Sequence, residues 1–197
     1  GGNYNVVVGD EAGTAITTGD FNTAIGFEAL KTEDAGGYNT AVGYQALKTQ
    51  DAGDAGNVAV GYQAGLDITT GFSNTLVGAS AGANITDGDY NTFMGSNTGL
   101  SVTTGVENTL IGALAGDALT DADLNVAVGT SALTDDTLGS RSIAIGYKAL
   151  EKQNFTTATD TYNTAVGHAA GNKITTGIQN VLIGGLAGDA ITDADSN

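Results

Sequence analysis

The sequence predicts an all-β parallel solenoid, a β-roll of about eleven coils, from three observations. First, one phrase, Asn39-Thr-Ala-Val-Gly-Tyr-Gln-Ala-Leu47, recurs along the whole chain. Its copies open at Asn5, Asn22, Asn39, Asn57, Asn74, Asn91, Asn108, Asn125, Ser142, Asn163 and Asn180, and Asn197 opens a twelfth. Second, the period is 17 residues, broken by one unit of 18 and one of 21. Units this short cannot bury their own apolar face and gain stability from stacked neighbours. Third, each unit holds a short β-branched run ended by glycine. No segment lies outside the repeat, so residues 1–197 are expected to form one domain. The chain opens and closes inside the repeat without a polar capping unit, which predicts an excised segment of a longer protein or filament.

Each unit begins with a strand of about five residues. Its third residue after Asn is Val8, Ile25, Val42 and equivalents, and the preceding residue, on the opposite face, is Val7, Ala24, Ala41 and equivalents. Both faces are therefore apolar, as in strands covered on two sides. The roll's interior supplies one cover, and with no helix expected, the economical second cover is another copy of the chain.

A glycine that never varies follows the strand (Gly9, Gly26, Gly43 and on to Gly184), as expected for positive φ or for stacking with no room for a Cβ. Alanine stands three residues later, replaced once by Thr98. The second half of the unit comes in two kinds. Seven units have Gly after that small residue and a large apolar residue three further on, as in Gly65 and Ile68. Units two, three, eight and nine instead have Leu30, Leu47, Leu133 and Leu150, with Glu33, Gln50, Asp136 and Gln153 at the later position. One large apolar side chain per coil, delivered from either of two positions, is what a filled interior requires. Return strands such as Ile174-Thr-Thr-Gly177 and a glycine turn lead to the next Asn. The Asn column is expected to form an inward hydrogen-bonded ladder, in a rod roughly 50 Å long at about 4.8 Å per layer.

Composition excludes some functions. A net charge of −16 with six Lys and Arg argues against nucleic acid as a partner. No apolar run of membrane-spanning length occurs, so this segment is not expected to insert into a membrane. The chain has no Cys and no Pro, and no signal peptide is visible.

The run Asn-Thr-Ala-Val-Gly-Tyr-Gln-Ala-Leu resembles the repeat of YadA-like head domains of trimeric autotransporter adhesins, Asn-Ser-Val-Ala-Ile-Gly-x-x-Ser. It is also similar to repeats of bacteriophage tail fibres that end in an intramolecular chaperone domain. The resemblance covers the whole chain and implies a left-handed parallel roll, a homotrimer, an extracellular place on a cell surface or virion, and binding to a host receptor or glycan. The 17-residue unit is longer than the family's coil, Thr stands for its first Ser and Ala for its last. Ile25-Gly-Phe-Glu-Ala-Leu30 also matches one hexapeptide of acyltransferase helices, but such helices need three per coil and only one fits. The chain is expected not to be an enzyme, and its only histidine, His168, is not assigned a catalytic role.

Several residues are candidate sites. Phe27, Tyr44 and Tyr62 form an aromatic column that a glycan could use, and Tyr4, Phe21 and Tyr38 form another; stacked rings also stabilise any parallel ladder. Asp87, Asp89 and Asn91, and likewise Asp121, Asp123 and Asn125, alternate oxygen ligands as the start of a calcium loop does, and are equally ordinary turn residues. No other cofactor is implied. The columns of Thr17, Thr69 and Thr86 and of Thr18, Thr70 and Thr104 suggest ice binding, although units two, three, eight and nine break them and adjacent threonines should face opposite sides of a strand. Units three and nine carry extra residues, Asp51–Gly56 and Gln153–Tyr162, and Lys31, Lys48, Arg141, Lys148 and Lys152 lie in or near such units, a patch that could orient a partner. The expected function is the head or shaft of a trimeric adhesin or phage tail fibre. A self-assembling extracellular filament is the alternative and an ice-binding solenoid the minor one.

Overall fold

The structure, a computed structural model, describes residues 2–197. It is an all-β parallel solenoid, and among the described residues there is no helix. Eleven three-residue strands, from Val6–Val8 to Val181–Ile183, form one sheet whose order follows the sequence. Coils are numbered here by these strands. Pairing is in register throughout, so Ala24 lies beside Ala41 and Ile25 beside Val42. The strands are shorter than the sequence suggests because the glycine after each one turns the chain.

The middle residue of each strand points inward. Ala24, Ala41, Leu76, Phe93 and Leu110 are fully buried there, against the small residues Ala29, Ala46 and Ala81. The interior is completed from the return half of the coil. Gly65 adopts φ +59, and a Cβ on it would meet Leu47 Cδ2 and Leu76 Cδ1 at 2.9 Å and Ile68 Cδ1 at 3.1 Å. In the other kind of coil Leu30, Leu47, Leu133 and Leu150 hold the same left-handed conformation, at φ 49 to 57, and are fully buried. Left-handed leucine is strained, so burying its side chain must offset that strain. Each such burial contributes on the order of 2 kcal/mol.

The Asn ladder runs along the inside. Asn91 Nδ2 donates to Gly105 O at 2.8 Å, and its Oδ1 accepts the Asn108 N–H at 3.0 Å. At coil three the extra residue interrupts this arrangement, and Asn39 Nδ2 is buried without a partner.

The return segments differ from expectation. Ile174-Thr-Thr-Gly177 and its equivalents are turns and bends rather than strands. Left-handed corners, such as Gln45 and Leu47 within one coil, break the extended backbone that β-branched residues would otherwise favour. The exception is a two-stranded parallel ladder, Gly139–Ser140 with Thr159–Asp160, by which the longest insertion pairs with the preceding coil. The turn glycines Gly19, Gly36 and Gly105 are not left-handed. They are glycine because a Cβ would meet a carbonyl oxygen of the next coil at 2.0 to 2.5 Å. No helix among the described residues is long and apolar enough to cross a membrane.

Candidate functional site: the outward face of the sheet

Strand alternation sends the first and third residues of every strand outward. The third-residue column includes Ile25, Val60, Met94 and Ile145, each at least 36% exposed, with Val42, Val77, Ile111, Val128 and Val166 half-buried. The first-residue column holds Thr23, Thr40, Thr75, Thr92, Thr109 and Thr164, with Val58, Val126 and Ile143 among them. Neither column contains a charged residue, on a chain of net charge −16. Strand N–H and C=O groups are spent on the ladder, so only side chains are presented. The strip is roughly 50 Å long and about 10 Å wide, on the order of 500 Å². Its third-residue half is wholly apolar, and its first-residue half mixes threonine with valine and isoleucine.

Aromatic rings border the strip in the first four coils. Phe27 stacks on Tyr44 at 5.3 Å between centroids, and Tyr44 on Tyr62 at 5.2 Å. Across the strand, Tyr4, Phe21 and Tyr38 stack at 5.0 and 5.2 Å. The rings are brought together as the sequence suggests. Stacking turns their faces toward one another, however, and leaves mainly edges to the solvent, whereas sugars pack on ring faces. His168 stacks on Tyr147 at 5.2 Å in the same column.

The acidic runs are not gathered around a common point. Asn91 and Asn125 are fully buried in the Asn ladder. Asp87 is exposed and accepts from Thr69 Oγ1 at 3.1 Å, while Asp89 accepts the Phe72 N–H at 2.9 Å. Asp121 accepts from Thr104 Oγ1 at 2.5 Å and Asp123 from the Val106 N–H at 2.8 Å. These carboxylates tie one coil to the one before it, a role that sequence spacing alone does not reveal. Among the described residues no group of three His, Cys, Asp or Glu side chains could hold a metal ion.

The threonine columns are also placed differently. Thr69 and Thr70 are both exposed, because their segment is a bend and not a strand. Their hydroxyls serve the stack: Thr86 Oγ1 donates to Thr103 O at 3.3 Å, and Thr175 Oγ1 to Thr192 O at 3.1 Å.

The basic residues of the Leu-type coils do not form a free cationic patch. Lys31 pairs with Glu11 and Glu28, Lys48 with Glu28 at 2.7 Å, Arg141 with Asp160 at 3.0 Å, Lys148 with Glu151 and Lys152 with Asp135 at 2.8 Å. Lys31, together with Lys48 and Gln45, holds the Glu28 carboxyl down at about 2.

Comparison with protein-family models, with curated proteins and with solved structures found no match to the chain.

Proposed function

We propose that the chain is a structural and adhesive rod, the head or shaft segment of a trimeric surface adhesin or phage tail fibre. Its left-handed roll would pack against two further copies through the outward sheet face and display its loops to a receptor or glycan outside the cell. The observation that carries this reading is the uncharged, β-branched strip left exposed on a strongly acidic chain. Its side chains repeat once per layer, so a surface of the same layer spacing stays in step with it along its whole length. A second copy of the chain has that spacing by construction. The resemblance of the Asn-Thr-Ala-Val-Gly phrase to adhesin and tail-fibre repeats supports the same reading. The mechanism is mechanical: interlayer bonds stiffen the rod, and association about an axis covers the apolar face.

Negative-stain microscopy at several protein concentrations tests this proposal. Discrete rods about 50 Å long are expected at every concentration. Fibres that lengthen with concentration would move the assignment to a self-assembling filament. Single chains that inhibit ice recrystallisation would move it to ice binding.

A further inference from the structure

The interior departs from its apolar rule at two places. Glu33 and Gln50 in coils two and three, and Asp136 and Gln153 in coils eight and nine, occupy the return position that holds Ile68, Ile85 or Ile174 elsewhere. All four are fully buried. Glu33 Oε1 accepts the Gly36 N–H at 2.6 Å, its Oε2 accepts Gln50 Nε2 at 3.2 Å, and Gln50 Oε1 accepts Asn57 Nδ2 at 3.0 Å. In the second pair Asp136 Oδ1 accepts the N–H groups of Gly139 and Phe155, and its Oδ2 accepts Gln153 Nε2 at 2.6 Å. Gln153 Oε1 accepts Asn163 Nδ2 at 2.8 Å.

Both chains of bonds end on donors, a backbone N–H at one end and an Asn amide at the other. Two side chains between two donors need one member that only accepts, or an amide nitrogen is buried without any acceptor. A carboxylate is such a group, and both pairs contain one. The same logic accounts for Ser142, the one break in the Asn column. Gln153 Nε2 also donates to Ser142 Oγ at 2.8 Å, and Ser142 Oγ lies 2.6 Å from Thr161 Oγ1.

Around both buried pairs the strand columns repeat from coil to coil. Asn bonds to Asn and Gly stacks on Gly, and Ala24, Ala41, Ala59, Ala127, Ala144 and Ala165 repeat one residue. A chain that looped out one unit would satisfy them equally, the slippage expected of repetitive, Gly-rich strands. It could not satisfy the buried pairs. Skipping coil three would set Glu33 against Ile68, and skipping coil two would set Gln50 against Ile16, leaving Glu33 Oε2 or Gln50 Nε2 buried without the partner it has in register. We propose that Glu33–Gln50 and Asp136–Gln153 are register pins, which fix the coil that stacks on each neighbour where the strand columns repeat the same residues.

Backbone hydrogen exchange on the whole chain tests the pins. Glu33→Gln leaves one buried amide nitrogen with no acceptor, and amides of coils two to four should exchange roughly ten- to a hundredfold faster. Gln50→Glu, which sets two carboxylates together, should act in the same direction. The swapped variant, E33Q/Q50E, again supplies one acceptor-only group between the two donors and should return protection near that of the parent. E33I/Q50I fills the site as other coils do and should show more than one protected population in coils two to four, where the parent shows one. A swap no better than the single variants, or a single population in the apolar pair, would overturn the proposal.

Discussion

Gly26 and Gly43 stack so closely that a Cβ on Gly26 would meet the Gly43 carbonyl oxygen at 2.3 Å. The contact recurs at Gly43, whose Cβ would meet Gly61 O at 2.2 Å from a backbone at φ +142. Gly43→Ala is therefore expected to cost about 2–4 kcal/mol. Gly184→Ala, in the same column at φ +124 but with nothing within 4 Å of its Cβ, carries the backbone strain without the clash and should cost less, about 1–2 kcal/mol. Thermal melts of the two variants side by side check the difference. Equal losses would mean that φ alone, and not the stacking, selects glycine in the column.

The two kinds of coil predict a coupled pair of substitutions. A Cβ on Gly82 would meet Ile85 Cδ1 at 2.7 Å, so Gly82→Leu overpacks the interior by about 1–3 kcal/mol. Combining it with Ile85→Ala vacates the contested volume and should recover part of that loss. A double-mutant cycle by denaturant unfolding reads the coupling, with additive losses as the contrary result.

Stability should fall in acid. The Glu28 carboxylate is held by Lys31, Lys48 and Gln45. Its pKa is lowered from 4.5 to about 2, so its contribution is present above about 4.5 and is lost as pH falls toward 2. Melting curves from neutral pH to about pH 2 should show this loss in the parent. In Glu28→Gln the low-pH loss should be reduced.

Calcium should not alter stability. Asn91 and Asn125 are buried in the ladder while Asp87 lies outside it, and Asp89 and Asp123 are engaged with backbone N–H groups of the preceding coil. Melting temperatures measured with calcium and with a chelator should coincide. A rise with calcium would show that these oxygens can rearrange around an ion.

Much of the solenoid was legible in the sequence because a fixed period places identical residues above one another. The Val7 and Val8 columns, the glycine column, the Asn ladder and the exchange of Leu30 for an isoleucine all follow from that one number. The environment of Glu33 was not legible. A polar residue at a variable position reads as solvent-facing until its neighbour one coil away, Gln50, is seen to be its partner. Thr69 and Thr70 misled for another reason, since β-branched neighbours suggest a strand and the left-handed corners that prevent one have no single residue signature. Gln45, Leu47 and Tyr38 all adopt that conformation. The aromatic column was legible as a column, but whether its rings offer faces or edges depended on their stacking angle.

In the proposed rod the outward sheet face is covered by other copies of the chain. The most direct test is the solution mass of the parent and of Val77→Lys, by light scattering behind size exclusion, over a range of concentrations. A mass near three times 19.5 kDa for the parent at every dilution, falling to a single chain in the variant, is the predicted result. A parent that remains one chain throughout would contradict it.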